Sequence, residues 1–263
     1  MVSARRIWLI GGTQESAQIA REFAAKSISC IVTVTTENAR SLYPPTLPIR
    51  VGKLAPADLK MFLMEHFVSG IVDASHPFAV EISKLAIAIA AEFSLPYLRF
   101  ERSEVASGEN AFPSFEALLA TDLLVEERVL LTIGYRSLAL FTQWHDRTSL
   151  FARILPSIEA LNAALAAGFM SDRLIALRPP ISAELEAALW RQWQITAVVT
   201  KASGSPGGED VKRQVAAALG VKLVTIDRPT IFYPQQTSDL QTVLQFCQSC
   251  LGLPPKSPNI GGL

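Results

Sequence analysis

The chain has 263 residues, 49% of them apolar, and 24 Lys+Arg balance 24 Asp+Glu for a formal net charge of zero. That length holds one large domain or two ordinary ones, and the balance gives no support to bulk binding of nucleic acid or an anionic membrane. Three cysteines exclude a disulfide framework and fit a reducing compartment.

The opening stretch MVSARRIWLIGG has too short an apolar run before its glycines for a signal-peptide core. The longest apolar stretch, residues 85–91, falls far short of the ~20 residues of a membrane span. We therefore expect a cytoplasmic protein.

Short β-rich runs then alternate with helical ones. Strands are expected at 6–10, 30–35, 71–74 and 96–100, and helices at 16–25, 57–67 and 79–93. The first helix sets Ile19, Ala20, Phe23 and Ala24 on one face. The second half repeats the rhythm, with strands at 129–133, 150–154, 174–177, 195–200 and 222–226. Helices fit at 136–144, 158–167, 183–193, 209–219 and 239–251. Such alternation implies α/β architecture, with mainly parallel sheets and right-handed crossovers. So many strands divide better into two sheets, with a boundary in the polar, Gly- and Pro-punctuated segment near 99–112. The expected division is 1–100, 101–252 and a frayed tail at 253–263.

Five stretches carry polar chemistry at strand ends, where ligands bind in open α/β sheets. Gly11-Gly-Thr-Gln-Glu15 follows the first strand and opens the first helix. It reads either as a phosphate-binding turn, with Thr13 as a hydroxyl donor, or as a tight turn capped by Thr13. Its spacing is not GxGxxG. At the end of the second strand, Thr35, Thr36, Glu37 and Arg40 suit either a free ribose hydroxyl or a 2′-phosphate, or form a solvated loop. Asp73-Ala-Ser-His-Pro77 stops an apolar strand, so His76 can bind a ligand or relay a proton, or the cluster is a helix cap helped by Asp73. Arg136 follows Gly134 at a helix start, where a cation opposes the dipole; it reads either as a partner for an anion bound there or as an exposed Arg reaching solvent. Lys201 stands at the mouth of Ala-Ser-Gly-Ser-Pro-Gly-Gly208, a loop of phosphate-cradling composition without P-loop order, or a flexible connector. Cys247-Gln-Ser-Cys250 is a CxxC, but it lies late in a helix, has no second pair and does not open a helix after a strand, which argues against a redox or zinc role; the scattered His66, His76 and His145 have no metal spacing.

Taken together these stretches resemble the precorrin-6A reductase family, including its cobalt-precorrin-6A form, from corrin-ring synthesis. That family's pattern has a GGTxE opening, a DATHPFA stretch, an IGxxxLxxF turn, a late [ST]KxSGxxGGxxEK loop and an IxRP strand. Here the corresponding segments are 11–15, 73–79, 133–141, 200–212 and 226–229. Ser75 replaces Thr, Ala202 replaces Asn, and Glu209-Asp-Val-Lys212 alters the acid–base pair.

The resemblance implies two Rossmann-like domains with a cleft between them, and an NADPH-dependent reduction (NADH possible) of a ring C=C of the tetrapyrrole. It implies cofactor contacts at Gly11, Gly12, Thr13, Glu15, Thr35, Thr36, Arg40, Ala74 and Ser75, with His76 as the catalytic candidate. Substrate contacts are expected at Arg136, Lys201, Ser203 and Gly204. No metal, nucleic acid or membrane partner is expected, and a monomer is. Two other readings use the same glycine turns: a nucleotide-sugar-dependent glycosyltransferase, which lacks an obvious base or Asp-x-Asp motif here, and a non-catalytic dinucleotide sensor, for which no basic helix or heptad is present.

Overall fold

The structure, a computed structural model, describes residues 5–101 and 108–253. The chain forms two units, Met1–Ser103 with Thr230–Leu263, and Glu104–Pro229.

The first unit is built on a parallel sheet of β1 (Arg6–Ile10), β2 (Cys30–Val34), β3 (Ile49–Val51), β4 (Val68–Asp73), β5 (Tyr97–Phe100) and β12 (Gln236–Thr237). Their order is β12-β5-β4-β1-β2-β3. Its strands are apolar runs because both faces are covered. Ile7 and Leu9 pack with Ile19 and Phe23 of α1 (Gln14–Ala25) and with Val243, Leu244 and Cys247 of α9 (Leu240–Leu251). Trp8 and Ile10, on the opposite face, meet Leu59 and Phe62 of α3 (Pro56–Glu65) and Ala86 and Ile89 of α4 (Val80–Glu92). Each fully buried Val, Leu, Ile or Phe among them contributes about 1.5–3 kcal/mol through burial. The indole N–H of Trp8 is satisfied by Thr33 Oγ1 at 2.8 Å.

The second unit repeats this plan. Its strands are β6 (Ala111–Phe112), β7 (Arg128–Thr132), β8 (Ser149–Ile154), β9 (Leu174–Ala176), β10 (Ala197–Lys201) and β11 (Lys222–Ile226), ordered β6-β11-β10-β7-β8-β9 and all parallel. Helices α7 (Ala183–Gln192) and α8 (Glu209–Leu219) cover one face, where Trp190, Val215 and Ala216 meet Leu130, Phe151 and Val198. Helices α5 (Phe115–Leu119) and α6 (Ile158–Ala166) complete this unit. Strands β1–β5 and β7–β11 therefore wind identically, and strand order reverses between β1 and β4 and between β7 and β10.

All nine expected strands are present. The structure corrects several boundaries. Helix α9, expected in a domain spanning 101–252, and strand β12, not expected at all, complete the first unit; the Val243–Cys247 stripe of α9 matches the Ile7–Leu9 face and β12 pairs with β5. Residues 136–144 belong to a 3-10 helix, Tyr135–Trp144, not an α-helix. Helix α4 starts at Val80, so Pro77 lies in the turn before it. The expected tail, from residue 254 on, lies outside the described residues.

Candidate functional site

In the first unit the strand order reverses between β1 and β4, and in open α/β sheets ligands bind outside the carboxyl ends of the strands at such a point. The β1 chain runs on through Gly11, whose N–H reaches Thr33 O at 2.9 Å. A Cβ on Gly11 would lie 2.3 Å from the Tyr43 hydroxyl, so only glycine fits. Gly12 adopts φ +107° with open space around it and donates its N–H to the Tyr43 hydroxyl at 2.6 Å. Thr13 caps α1 in a reciprocal box with Ser16, both bonds 3.0 Å. Its hydroxyl donates to Ala74 O at 2.8 Å, tying the glycine turn to the end of β4. Thr13 is thus a clamp between strand ends, and its proton is committed within the fold. Glu15 lies in the first turn of α1.

At the end of β2, Thr35 and Thr36 are exposed. Thr36 caps the short helix α2 (Glu37–Arg40), accepting from Ala39 N at 3.2 Å. Arg40 is exposed and sits 3.7 Å from Glu37.

The end of β4 rests on a buried ion pair. Asp73, with no exposed surface, accepts from Ser75 N and Arg99 Nη1 at 3.0 Å each, from Ser83 Oγ at 2.6 Å and from Tyr97 OH at 2.7 Å. Arg99 also reaches Ser75 Oγ at 3.2 Å and Glu101 Oε2 at 3.0 Å, and lies over the Tyr233 ring. Burial opposes the Arg99 charge, but the Asp73 and Glu101 carboxylates outweigh it and hold the guanidinium above its ordinary pKa. Burial, then Asp73, pushes the Tyr97 phenol up. Asp73 is therefore not a cap for α4; it fixes the backbone at Ser75. His76, the next residue, is exposed. Its Nδ1 accepts from Phe78 N at 3.2 Å, which puts the proton of the neutral ring on Nε2.

Beside this site an apolar pocket of about 580 Å³ opens between the starts of α3 and α4, lined by Leu54, Pro56 and Leu85 with the Lys53–Glu81 pair.

In the second unit the corresponding reversal lies at the ends of β7 and β10. Arg136 is exposed, stacks over Tyr135 and donates to its hydroxyl at 3.2 Å. Lys201 Nζ donates to Ser137 Oγ at 3.2 Å and sits over the Phe115 ring. Burial, with Arg136 nearby, lowers its pKa to about 8. Ser203 bonds back to Lys201 O through its N–H at 2.7 Å. Gly204, at φ +72°, donates its N–H to buried Glu209 at 2.9 Å. Lys212, 1% exposed, donates to Gly207 O at 2.8 Å and Gly208 O at 3.1 Å, and burial lowers its pKa to about 8. The Gly-Ser loop is thus held by the acid–base pair that follows it.

The structure brings Gly11–Thr13, Ala74 and Ser75 together in one unit, and Arg136, Lys201, Ser203 and Gly204 in the other. Sequence reasoning missed Tyr43 and Arg99. Arg99 carried a signal, a lone charge inside the apolar run Tyr97–Phe100. Cys30 and Cys247 are buried, and burial raises both thiols. Among the described residues no cluster of His, Cys, Asp and Glu could hold a metal, and no helix is long and apolar enough to cross a membrane.

Two parallel doubly wound sheets, each with a polar loop cluster at its reversal point, define the class of α/β proteins that bind ligands at strand ends. Within that class, residues 6–248 match the family described as precorrin-6x reductase CbiJ/CobK, and the chain belongs to that family. It is 50% identical to the cobalt-precorrin-6A reductase of Synechocystis sp., aligned over 94% of this chain and 97% of that one. It is 34% identical to the cobalt-precorrin-6A reductase of Priestia megaterium, over 90% and 96%. It is 31% identical to the precorrin-6A reductase of Mycobacterium tuberculosis, over 95% and 99%. A solved CobK precorrin-6A reductase superposes with a TM-score of 0.77 at 26% identity, covering 96% of this chain and 99% of that one. The chain is thus an oxidoreductase of corrin-ring synthesis. The sugar-nucleotide and sensor readings fall away.

Proposed function

We propose that this protein uses NADPH to reduce a ring C=C bond of precorrin-6A or cobalt-precorrin-6A to the 6B form. The observation that carries this reading is the family match along nearly the whole chain, and the glycine turn at the sheet reversal supports the cofactor. Bound NADPH supplies a hydride to one ring carbon, and a proton reaches its neighbour.

The residues of the turn fit a dinucleotide. Gly12, with open space around it, lets the pyrophosphate approach the backbone at the N-terminus of α1, with Glu15 in the first turn, while Gly11 makes room for the Tyr43 hydroxyl that shapes the turn. Arg40, only loosely engaged with Glu37, can swing to a 2′-phosphate beside Thr35 and Thr36, which favours NADPH over NADH. Ala74 and Ser75, held rigid by Thr13 and by Asp73–Arg99, line the nicotinamide end. His76 positions the ligand or a proton-donating water through Nε2. In the second unit Arg136 and Lys201 take substrate carboxylates, with Ser203. Gly204 serves by its backbone turn, since its N–H belongs to Glu209.

The test is anaerobic. The purified protein is mixed with the cobalt or metal-free substrate and NADPH or NADH, and nicotinamide oxidation is followed together with the corrinoid spectrum. Coupled two-electron reduction supports the reading. Silence in all four mixtures with folded protein refutes it. In the same assay His76→Ala loses turnover, and full turnover would remove the role given to His76.

A further inference from the structure

Tyr43 lies 31 residues from the glycine turn in sequence, yet its hydroxyl sits inside it. The ring is buried, and its oxygen occupies the space that a Cβ on Gly11 would need. Ser16 Oγ lies 2.8 Å from Thr13 O and accepts from Thr13 N at 3.0 Å. The Tyr43 hydroxyl is hydrogen-bonded to Ser16 Oγ, 2.6 Å away, and accepts from Gly12 N–H at 2.6 Å. At its other end the Tyr43 N–H donates to Arg40 O at 3.2 Å. One residue thus spans from the segment that ends β2 to the turn that ends β1.

We infer that Tyr43 is a positioning residue for the dinucleotide: its phenol sets the Gly11–Thr13 turn and locks it to the Thr36–Arg40 segment, so that the pyrophosphate and adenosine ends are presented in one fixed register. This rests on the nucleotide reading given above. It accounts for a turn that departs from GxGxxG. The second glycine's amide is held by a phenol, so the turn is shaped by a side chain from outside the motif. A loose turn would have to be ordered at the moment of binding, and that ordering would weaken affinity.

The test is the dissociation constant for NADPH, read from nicotinamide fluorescence on the full chain without corrinoid substrate. Tyr43→Phe keeps the ring and deletes the acceptor of Gly12 N–H, and binding weakens about tenfold, the scale of one hydrogen bond. Gly11→Ala drives a methyl into the hydroxyl and weakens binding to a similar extent. In Gly11→Ala/Tyr43→Phe the nearest ring atom is 3.0 Å from the new methyl instead of 2.3 Å, so the two losses do not multiply. A purely structural tyrosine would lower the melting temperature and leave the affinity of the folded protein alone. Should Tyr43→Phe not fold, Ser16→Ala removes the phenol's other partner, and the same weakening is expected. NADPH affinity within about twofold of wild type in folded Tyr43→Phe, or Ser16→Ala in its place, overturns the inference while leaving the nucleotide reading intact. Wild-type protein that binds neither NADPH nor NADH overturns both.

Discussion

Replacing Asp73 by Asn tests the ion pair beneath the strand end. The substitution keeps shape and volume but removes the charge facing Arg99, whose side chain is 1% exposed. Glu101 remains as a second partner at 3.0 Å, so the guanidinium is not wholly orphaned. Breaking a buried pair costs about 3–5 kcal/mol, and the residual partner puts this case near the lower limit, about 3 kcal/mol. At about 2–4 °C per kcal/mol for a chain of this size, the melting temperature falls by roughly 6–12 °C. Denaturant titration followed by far-UV circular dichroism gives the free energy directly. A cycle with Arg99→Met supplies the control: the double variant is destabilised by less than the sum of the singles, since Asp73 and Arg99 no longer leave each other unpaired, while Glu101 loses Arg99 equally in the single and the double variant. Asp73→Asn within about 1 kcal/mol of wild type, or strictly additive losses, would refute the assignment of this pair as the support of Ser75.

Two lysines give opposite pH signatures. In the proposed function Lys201 holds substrate carboxylates as an ammonium, and burial lowers its pKa to about 8. The kcat/KM for the tetrapyrrole therefore falls as pH rises through about 8, and Lys201→Arg removes that midpoint; a profile unchanged by this variant would exclude Lys201. Lys212, also near 8 when folded against 10.5 for the free side chain, binds its proton less tightly in the folded state. Its contribution to unfolding free energy accordingly rises between about pH 8 and pH 10.5, by up to ~3 kcal/mol. The difference between wild type and Lys212→Met, measured by denaturant titration across that window, shows the gain; a flat difference contradicts it.

The apolar runs that became β1, β2 and β4 were legible because burial on both faces leaves a continuous hydrophobic word. Strands β6 and β12, two residues each, carry no period at all; their place is set by backbone pairing with β11 and β5. Helix α9 was legible as a helix, but its apolar stripe does not say which sheet it covers. At the site, glycines at a strand end announced the turn. The Tyr43 hydroxyl could not be read, since nothing local in 41–45 points back to Gly12. Asp73 was noticed only as a possible helper of a helix cap, because the Arg99 that balances it sits on the neighbouring strand.

The late return of the chain to its first sheet orders the events of synthesis. When Ser103 has just been made, the first unit has five of its six strands, a bare edge at β5, and an Ile7–Leu9–Val72 face without α9. The second unit is contiguous from Glu104 to Pro229 and can close completely while the first still waits. The N-terminal half is therefore the last to mature, and damage near residue 244 is felt as instability around residue 9.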